Sequence, residues 1–391
     1  MFRREISLTI EKRLCEPRGF MQVVVGPRQT GKTTAIEQAL KSVGLSSHVG
    51  RADDFAGDVR WIESHWQQAR LLAAADQPAV LVLDEIQRIP NWPDTVKRLW
   101  DEDSWNEVNL LVVLSGSSSL LLRKGMNDSL TGRFELIEST HWLLSEMSDA
   151  FGYDYETFLR LGGYPGAARL KDDVSRWRKY LLDSIVETTI SKDVLQMEEI
   201  RKPALMRALF LLGSQYSAQE ISYRKLLGQL DDKGNTATIA HYLDLLANAG
   251  LLSGLRKYAP KSLGVRSSSP RLLVHDTALM VSTHGGDIES LCSEPASRGH
   301  LIESAVGAYL LARSVREGFE VYWWREGMRE VDFVLKKGDQ LRAVEVKSGR
   351  IKDTKGLGAF CDLYPQAVPL VVGGGNASVE DFLLGKVPLF R

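Results

Sequence analysis

GPRQTGKTT, residues 26–34, decides the fold of the first part of this chain. The stretch has the spacing G-x-x-x-x-G-K-[ST], and it stands between the apolar strand pattern MQVVV and the helical pattern AIEQALKSV. Such a loop turns backbone N–H groups inward around a phosphate, and the following helix adds the positive end of its dipole. The sequence therefore predicts a phosphate-binding loop (P-loop) in a parallel α/β sheet.

Each position of this loop has a predicted role in holding ATP. Lys32 is expected to reach the β- and γ-phosphates, and the hydroxyl of Thr33 is expected to bind Mg²⁺. The other positions expected to contact the nucleotide are Gly26, Gln29, Thr30, Gly31 and Thr34. A glycine-rich turn that binds nothing is the alternative, and the flanking strand and helix argue against it.

Two acids end the next buried strand pattern, AVLVLDEIQ. In a parallel sheet, ligands bind in the crevice at the carboxyl ends of the strands. Asp84 is therefore expected to hold Mg²⁺ through its water shell, and Glu85 is expected to orient and polarise an attacking water. Ordinary surface charge at a strand end is the alternative.

A third strand pattern, LLVVLSG, runs into the serines of residues 115–119. A polar side chain at this point can bond the γ-phosphate or the attacking water, and Ser117 is counted here among the nucleotide-binding residues. Which serine has this role is left open. A helix N-cap explains the run equally well.

Composition bounds the kind of protein. The 391 residues carry a formal net charge of -1, with 44% hydrophobic and 25% charged residues, as in a soluble protein of more than one domain. So little net charge leaves only local basic patches to bind a polyanion. Cys15, Cys292 and Cys361 form no C-x-x-C pair and predict reduced thiols in a cytoplasmic protein. There is no signal-peptide pattern and no apolar run near the roughly 20 residues that span a bilayer.

Hydrophobic patterning divides this α/β chain into four predicted parts. Strand and helix patterns alternate over 1–150, which predicts a parallel sheet with helices on both faces. A helical segment follows at 151–215, with a long helical pattern from Ser175 to Leu212. Residues 216–294 show two helices and two short strands, which suggests a winged helix. Residues 295–391 show helix, three strands, helix and strand.

Several motifs together resemble a known group of proteins. They are GPRQTGKTT, LDEIQRIPNW, LSGSSS, SLTGRFE, FLRLGGYP and YLLDSIVETTISKDV. The chain is similar over nearly its whole length to bacterial and archaeal AAA+ ATPases whose C-terminal half is a domain of unknown function ending in nuclease-like motifs. This resemblance implies ATP binding and slow hydrolysis.

The same resemblance suggests a role for Arg133, which stands just before a strand pattern. In AAA+ ATPases an arginine at this point often reaches the nucleotide of a neighbouring subunit and stabilises transition-state charge. That role would require a homo-oligomer. An arginine that satisfies carbonyl groups at a helix end is the alternative.

The predicted winged helix has a weak recognition helix and a basic segment after it. The helix has an apolar stripe of Ile239, Leu243 and Leu246 and offers only one histidine and one asparagine to base edges, which makes sequence-specific readout doubtful. The segment 256–271 contains no acid and suits contacts to DNA phosphates. Its basic residues are Arg256, Lys257, Lys261, Arg266 and Arg271. A winged helix that packs within the protein, with a solvated basic loop, is the alternative.

The stretch VDFVLKKGDQLRAVEVKSG, residues 331–349, predicts a β-hairpin. Gly338 followed by Asp339 is a good two-residue turn. Counting outward from this turn places Phe333 opposite Val344, so that the apolar faces of the two strands match.

The same counting places acids across from each other. Asp332 falls opposite Glu345 and Glu330 opposite Lys347, and strict alternation puts Asp332 on the face away from Phe333. Two carboxylates directly across a sheet repel each other. A divalent cation between Asp332 and Glu345 would remove that repulsion.

This C-terminal pattern resembles the PD-(D/E)XK nuclease fold. The resemblance implies metal binding by Asp332 and Glu345, with support from Glu303, and a Lys347 that steadies the attacking water or the transition-state charge. A retired nuclease that serves as an interaction domain is the alternative.

Two functions of different class follow. The first is a Mg²⁺-dependent AAA+ ATPase that acts on DNA, with a basic wing and a nuclease-like module. The second is a nucleotide-controlled switch that binds a partner protein and has a degenerate nuclease domain.

Overall fold

The computed structural model describes most of the chain. The described residues are 2–52, 57–73, 77–117, 122, 129–195, 200, 202–230, 235–259, 269–349, 354–374 and 377–390. The chain forms two compact units, Met1–Thr140 and His141–Arg391. The predicted boundary near 150 lies close to the division between the units. The boundaries near 215 and 295 fall inside the second unit and stay predictions.

The first unit is built on a five-stranded parallel sheet with the strand order β2-β3-β4-β1-β5. The strands are β1 (Met21–Val25), β2 (Ser46–Arg51), β3 (Ala79–Asp84), β4 (Leu110–Gly116) and β5 (Phe134–Glu138). The helices are α1 (Glu5–Leu14), α2 (Lys32–Val43), α3 (Val59–Arg70) and α4 (Trp92–Trp105), with a short 3₁₀ turn at Ile86–Arg88.

Helices cover both faces of this sheet, as predicted. One core cluster packs side chains of α3 and α4, such as Trp66 and Val96, against one face, and a second packs Ile10 of α1 and Ile36 of α2 against the other. Strands β1, β3 and β4 are therefore buried along their whole length. Because β1 lies beside β4, and β4 beside β3, the three loops that leave these strands open at the same edge.

The second unit begins with helices. They are α5 (Leu144–Phe151), α6 (Tyr155–Leu161), α7 (Val174–Tyr180) and α8 (Pro203–Gln215), with a 3₁₀ segment at Pro165–Leu170 and π-helical segments at Leu181–Glu187 and Thr189–Val194. The helical pattern predicted from Ser175 to Leu212 is confirmed at its two ends. Between them the backbone winds more loosely, as a π-helix, as far as Val194.

The middle of this unit has two helices and a small hairpin. They are α9 (Tyr223–Gln229), α10 (Thr236–Asn248), β6 (Leu252–Leu255) and β7 (Arg271–Val274), the two strands being antiparallel. The predicted stripe of Ile239, Leu243 and Leu246 is buried. This is the element order that a winged helix requires, and the winged-helix assignment stays a prediction.

The last part of the second unit is a four-stranded sheet with the order β11-β10-β9-β8. Its strands are β8 (Glu320–Glu326), β9 (Arg329–Lys337), β10 (Gln340–Val346) and β11 (Ala367–Val372). The helices are α11 (Thr277–Thr283), α12 (Ile288–Ser293), α13 (Pro295–Glu317), α14 (Lys355–Leu363) and α15 (Val379–Leu383). The predicted order of helix, three strands, helix and strand is present. Within the described residues, no helix is long and apolar enough to cross a membrane.

The predicted hairpin register is correct from Lys337 and Gln340 to Phe333 and Val344. The predicted faces are wrong beyond that point, because β9 contains a β-bulge. Tyr322 of β8 pairs with Val334, but Trp324 pairs with Val331, so that β9 has one residue more than β8 in this interval.

The bulge brings side chains together that strict alternation separates. Val331 and Val334 pack in one cluster with Phe360. Asp332 and Phe333 both contact the guanidinium group of Arg271. Arg271 Nη2 lies 3.2 Å from Asp332 Oδ1, and Arg271 Cζ lies 5.8 Å from the centroid of the Phe333 ring. The prediction that Asp332 lies on the face away from Phe333 is therefore incorrect.

Candidate nucleotide and acidic sites

The P-loop has the backbone shape that its glycines allow. Gly26, Gln29 and Gly31 have positive φ angles of 148°, 60° and 85°. A Cβ on Gly26 would lie 2.2 Å from the carbonyl oxygen of Ser139, so no other residue fits at this position. The loop thus turns tightly between β1 and the first residue of α2.

The polar side chains of the loop lie close to one another. Lys32 is 7% exposed, and its Nζ donates to the carbonyl oxygens of Gly26 and Pro27 at 2.9 and 2.8 Å. Thr30 is buried, whereas Thr34 is exposed in the first turn of α2. The hydroxyl of Thr30 donates to Pro27 O at 2.9 Å.

Thr33 joins the loop to the acid at the end of β3. Its Oγ1 donates to Asp84 Oδ2 at 3.0 Å, and Ser115 Oγ donates to Asp84 Oδ1 at 2.5 Å. The structure therefore brings together Thr33, which the sequence predicts to bind Mg²⁺ directly, and Asp84, which it predicts to hold Mg²⁺ through water. A hydroxyl and a carboxylate are the oxygen ligands that this cation prefers, and phosphate oxygens complete such sites.

The neighbouring acid, Glu85, has a strained backbone and a fixed carboxylate. Its φ angle is 55°, which a residue with a side chain rarely adopts. Its Oε2 accepts from Ser117 Oγ at 2.9 Å and from Gln87 Nε2 at 2.6 Å. Ser117 thus contacts the acid that is predicted to orient water. Ser118 and Ser119 lie outside the described residues.

Gln87 is a member of this site that sequence reasoning missed. A Cβ on Gly116 would lie 2.1 Å from Gln87 Oε1, so Gly116 leaves the room that the amide group occupies. The sequence offers two signals for this contact, a glutamine two residues after Glu85 and a glycine just before Ser117. Neither residue predicts the contact unless the ends of β3 and β4 are known to lie side by side.

Arg133 does not approach the P-loop of its own chain. It precedes β5, whose first residue pairs with Met21, whereas the P-loop follows the opposite end of β1. Its Nε and Nη2 donate to the Asp101 carboxylate at 2.8 and 3.0 Å. In this chain Arg133 forms an ion pair on α4, and its role across a subunit interface stays a prediction.

The second group of acids surrounds a buried arginine. Arg271 is 3% exposed. Its Nη1 donates to Glu330 Oε1 at 2.6 Å, and its Nη2 donates to Glu303 Oε2 at 3.1 Å and to Asp332 Oδ1 at 3.2 Å. The prediction that Arg271 contacts DNA phosphates is wrong, because its charge is buried among three carboxylates.

The other basic positions of segment 256–271 differ from Arg271. Arg256 is exposed and Lys257 is half-buried, with the Lys257 backbone bridged to Trp323 of β8. Lys261 and Arg266 lie outside the described residues. The basic segment is therefore smaller in the described part of the chain than its sequence suggests.

Asp332 and Glu345 have separate partners. Asp332 Oδ2 accepts from the backbone N–H of Val346 at 2.8 Å, and Glu345 Oε1 accepts from Lys347 Nζ at 2.6 Å. The Glu330 carboxylate, predicted to lie opposite Lys347, is bound by Arg271 and Arg325. Lys347 pairs with the acid of its own strand.

Burial changes the proton affinity of this cluster. Loss of water raises the pKa of Asp332 to about 7, although the Arg271 charge acts in the opposite direction. Burial also raises the pKa of Glu345, against the lowering effect of Lys347. Within the described ranges, no group of three or more His, Cys, Asp or Glu side chains is placed to hold a metal ion. The cation at the centre of these acids is the guanidinium group of Arg271.

Comparison with protein families agrees with the P-loop geometry. Residues 19–148 match the family model described as an AAA domain, AAA_14. The chain contains an AAA domain. Two further matches follow, a domain of unknown function, DUF8612, at residues 152–287, and another, DUF4143, at residues 298–385.

Two curated relatives extend over both units. An uncharacterized protein of Haemophilus influenzae is 21% identical over 347 residues, covering 84% of this chain and 82% of that protein. The uncharacterized protein MJ1544 of Methanocaldococcus jannaschii is 24% identical over 298 residues, covering 70% of this chain and 66% of that protein.

Solved structures give weaker similarities. The Thermotoga maritima RuvB Holliday junction branch migration motor has a TM-score of 0.34 at 18% identity, covering 64% of this chain and 87% of its own. Cdc6p from Pyrobaculum aerophilum has a TM-score of 0.32 at 13% identity, with coverages of 74% and 92%. AMPPCP-bound DnaA from Aquifex aeolicus has a TM-score of 0.34 at 16% identity, with coverages of 63% and 89%. With TM-scores this low, the function of the AAA domain has to be inferred from its own residues.

Proposed function

We propose that this protein binds ATP with Mg²⁺ and hydrolyses it in its AAA domain. The observation that carries the proposal is the hydrogen bond of 3.0 Å between Thr33 Oγ1 and Asp84 Oδ2, beside the buried Lys32. This contact between the first turn of α2 and the end of β3 supports an Mg²⁺ site there, beside a helix N-terminus that would face the phosphates. Bound Mg²⁺ would neutralise charge on the β- and γ-phosphates.

The other side chains of the site would bind the phosphates and orient the attacking water. Lys32, which now donates to loop carbonyl groups, would donate to phosphate oxygens instead. Glu85 would orient the attacking water, and its carboxylate is held in place for this role by Ser117 and Gln87. Gln29, Gly31 and the other loop positions would supply backbone N–H groups to the phosphates.

Hydrolysis is tested with Lys32→Ala and Glu85→Gln, measured as phosphate release from ATP with and without Mg²⁺. Both variants should lose activity by at least about 100-fold, the contribution typical of a group that acts directly on the reacting atoms. Lys41→Ala, at an exposed position of the same helix, is the matched control and should keep the wild-type rate. An unchanged rate in both site variants would overturn the ATPase proposal.

Arg133 would complete the site of a neighbouring subunit in a homo-oligomer. Its ion pair with Asp101 would then have to open, since both carboxylate oxygens are now bound. Hydrolysis per subunit should in that case rise with protein concentration in the wild type and stay flat in Arg133→Ala. A rate that is independent of concentration in both proteins would remove this role.

We propose further that the second unit acts on DNA. Arg256 and Lys257 would contact DNA phosphates, and the C-terminal part of the unit would be a nuclease-like module. The exposed Arg256 supports phosphate contact. On this proposal Asp332 and Glu345 bind a divalent metal, supported by Glu303, and Lys347 assists hydrolysis. DNA should then stimulate ATP hydrolysis, and DNA cleavage with Mg²⁺ or Mn²⁺ should disappear in the double variant Asp332→Asn, Glu345→Gln.

Arg271 favours the second candidate function, a nucleotide-controlled switch without nuclease activity. Its guanidinium already pairs with Glu303, Glu330 and Asp332, and the Lys347 ammonium is bound to Glu345. A metal ion would have to displace a buried charge that makes three ion pairs. An ATPase that is insensitive to DNA, together with equal DNA cleavage by wild type and the double variant, would support the switch.

A further inference from the structure

A buried arginine near the amino terminus holds the P-loop. Arg4 precedes α1 and is 4% exposed. Its Nη1 donates to the carbonyl oxygen of Thr30 at 3.0 Å and to Ser139 Oγ at 3.3 Å. Its Nη2 donates to the carbonyl oxygen of Thr140 at 3.2 Å. One guanidinium group thus joins the loop to the residues that follow β5.

Ser139, the residue after β5, supports the same loop. Its Oγ donates to Thr30 Oγ1 at 3.0 Å, and its backbone N–H donates to Val25 O at 2.7 Å. Arg4, Thr30, Ser139 and Thr140 are all buried. Buried polar groups are costly to leave unpaired, so this network strongly favours one arrangement of the loop.

The direction of the Thr30 carbonyl has a consequence for the nucleotide. The described backbone contains no cis peptide bond. In a trans peptide the N–H group points away from the C=O group. With the Thr30 carbonyl turned toward Arg4, the N–H of Gly31 is turned to the opposite side, as a loop that encloses a phosphate with its N–H groups requires.

We propose that Arg4 is a positioning residue of the nucleotide site, with Ser139 as its partner. The proposal rests on the ATP binding proposed above and adds a residue outside the loop motif. Without Arg4, the Thr30 carbonyl loses a donor that fixes the peptide between Thr30 and Gly31, and the N–H of Gly31 would be less well aimed at the phosphates. Because Arg4 contacts no reacting atom, its loss should raise the KM for ATP more than it lowers kcat.

The test is the affinity of the full-length protein for ATP with Mg²⁺, measured by calorimetry, together with KM and kcat for hydrolysis. Arg4→Ala should weaken binding about tenfold, the ratio expected for one lost charge-assisted hydrogen bond. Ser139→Ala should weaken it about threefold, as for a neutral hydrogen bond. Arg4→Lys should not restore affinity, because an ammonium group cannot serve three acceptors with the planar geometry of a guanidinium.

Arg18 offers a matched control in the same unit. It also donates to two backbone carbonyls and one serine hydroxyl, those of Leu110, Trp100 and Ser104, at the opposite end of β4 from the nucleotide site. Arg18→Ala should lower thermal stability and leave ATP affinity unchanged. Millimolar guanidinium ion should restore ATP binding to Arg4→Ala by filling the space of the missing group, which general destabilisation would not produce.

Each outcome decides the proposal. If the wild type binds ATP and the Arg4 and Ser139 variants bind it equally well, Arg4 is not a positioning residue. Equal losses in the Arg4 and Arg18 variants, without rescue by guanidinium, would reduce Arg4 to a structural role. If Arg4→Ala does not fold, Arg4→Lys and Ser139→Ala give the answer. A wild type that binds no ATP would overturn the proposed function and this inference with it.

Discussion

Two pairs of acids, in or directly after β-strands, have opposite surroundings in this protein. Asp84 and Glu85 of the first unit accept hydrogen bonds from hydroxyl groups, an amide and a backbone N–H. Asp332 and Glu345 of the second unit lie beside cations of the chain itself, Arg271 and Lys347. The first pair is held by neutral donors, whereas each acid of the second pair already has a cationic partner.

The difference shows that a pair of acids on a β-sheet is not sufficient to identify a metal site. Neutral donors orient a carboxylate without cancelling its charge, so a divalent cation still gains the full electrostatic attraction. A buried guanidinium beside three carboxylates offsets part of that attraction and occupies the space between them, and removing it would leave uncompensated charge. The groups that contact the acids, neutral donors in one case and cations in the other, therefore distinguish the two sites.

The same substitution in each unit gives the largest expected contrast. Asp84→Asn should lower Mg²⁺-dependent ATP hydrolysis by at least about 100-fold, because the carboxylate that would hold the water shell of Mg²⁺ loses its charge. Asp332→Asn should leave the rate unchanged. Phosphate release over a Mg²⁺ titration measures both, and a comparable loss in Asp332→Asn would break the distinction between the sites.

Removal of Arg271 should be the most destabilising change in the second unit. Arg271→Ala leaves three carboxylates without their buried cation, which should cost about 3–5 kcal/mol in the free energy of unfolding measured in urea. Lys32→Ala removes two hydrogen bonds to backbone carbonyls and should cost about 1–2 kcal/mol.

Mn²⁺ provides the control for the Arg271 prediction. It should raise the melting temperature of Arg271→Ala, whose acids are free to bind a cation, and leave that of the wild type unchanged. Stabilisation of the wild type by Mn²⁺ that disappears in Asp332→Asn would show instead that the acids bind metal in spite of Arg271.

The acid cluster should also make stability depend on pH. The pKa of Asp332 is about 7 in the folded protein because of burial, above its ordinary value of 3.8. The folded state therefore binds a proton that the unfolded state has lost, and the free energy of unfolding should fall as pH rises from about 4 to 7. Asp332→Asn should reduce this slope in urea unfolding curves. An equal slope in both proteins would mean that Asp332 stays ionised beside Arg271.

Gln87→Ala should have the smallest effect. Loss of its hydrogen bond to Glu85 should lower kcat for ATP about threefold to tenfold with little change in KM, because only the direction of the Glu85 carboxylate is affected. Steady-state hydrolysis measures both constants. A higher kcat would show that Gln87 holds Glu85 away from the water.

Local pattern alone predicted the P-loop, the acids of β3 and the hairpin register between Phe333 and Val344. These features depend on residues close together in sequence, where strand alternation, turn residues and glycine spacing act directly on the backbone. The P-loop motif and its flanking strand and helix were therefore readable without any tertiary contact.

Only the tertiary structure decided which charges meet. Arg271 lies far in sequence from Glu330 and Asp332, and nothing near it in sequence indicates that it points inward rather than toward DNA. The bulge in β9 depends on its pairing with β8, and it moved Asp332 to the side of Phe333. Burial converts such long-range placement into large energies, because a charge removed from water must find its partner within the fold.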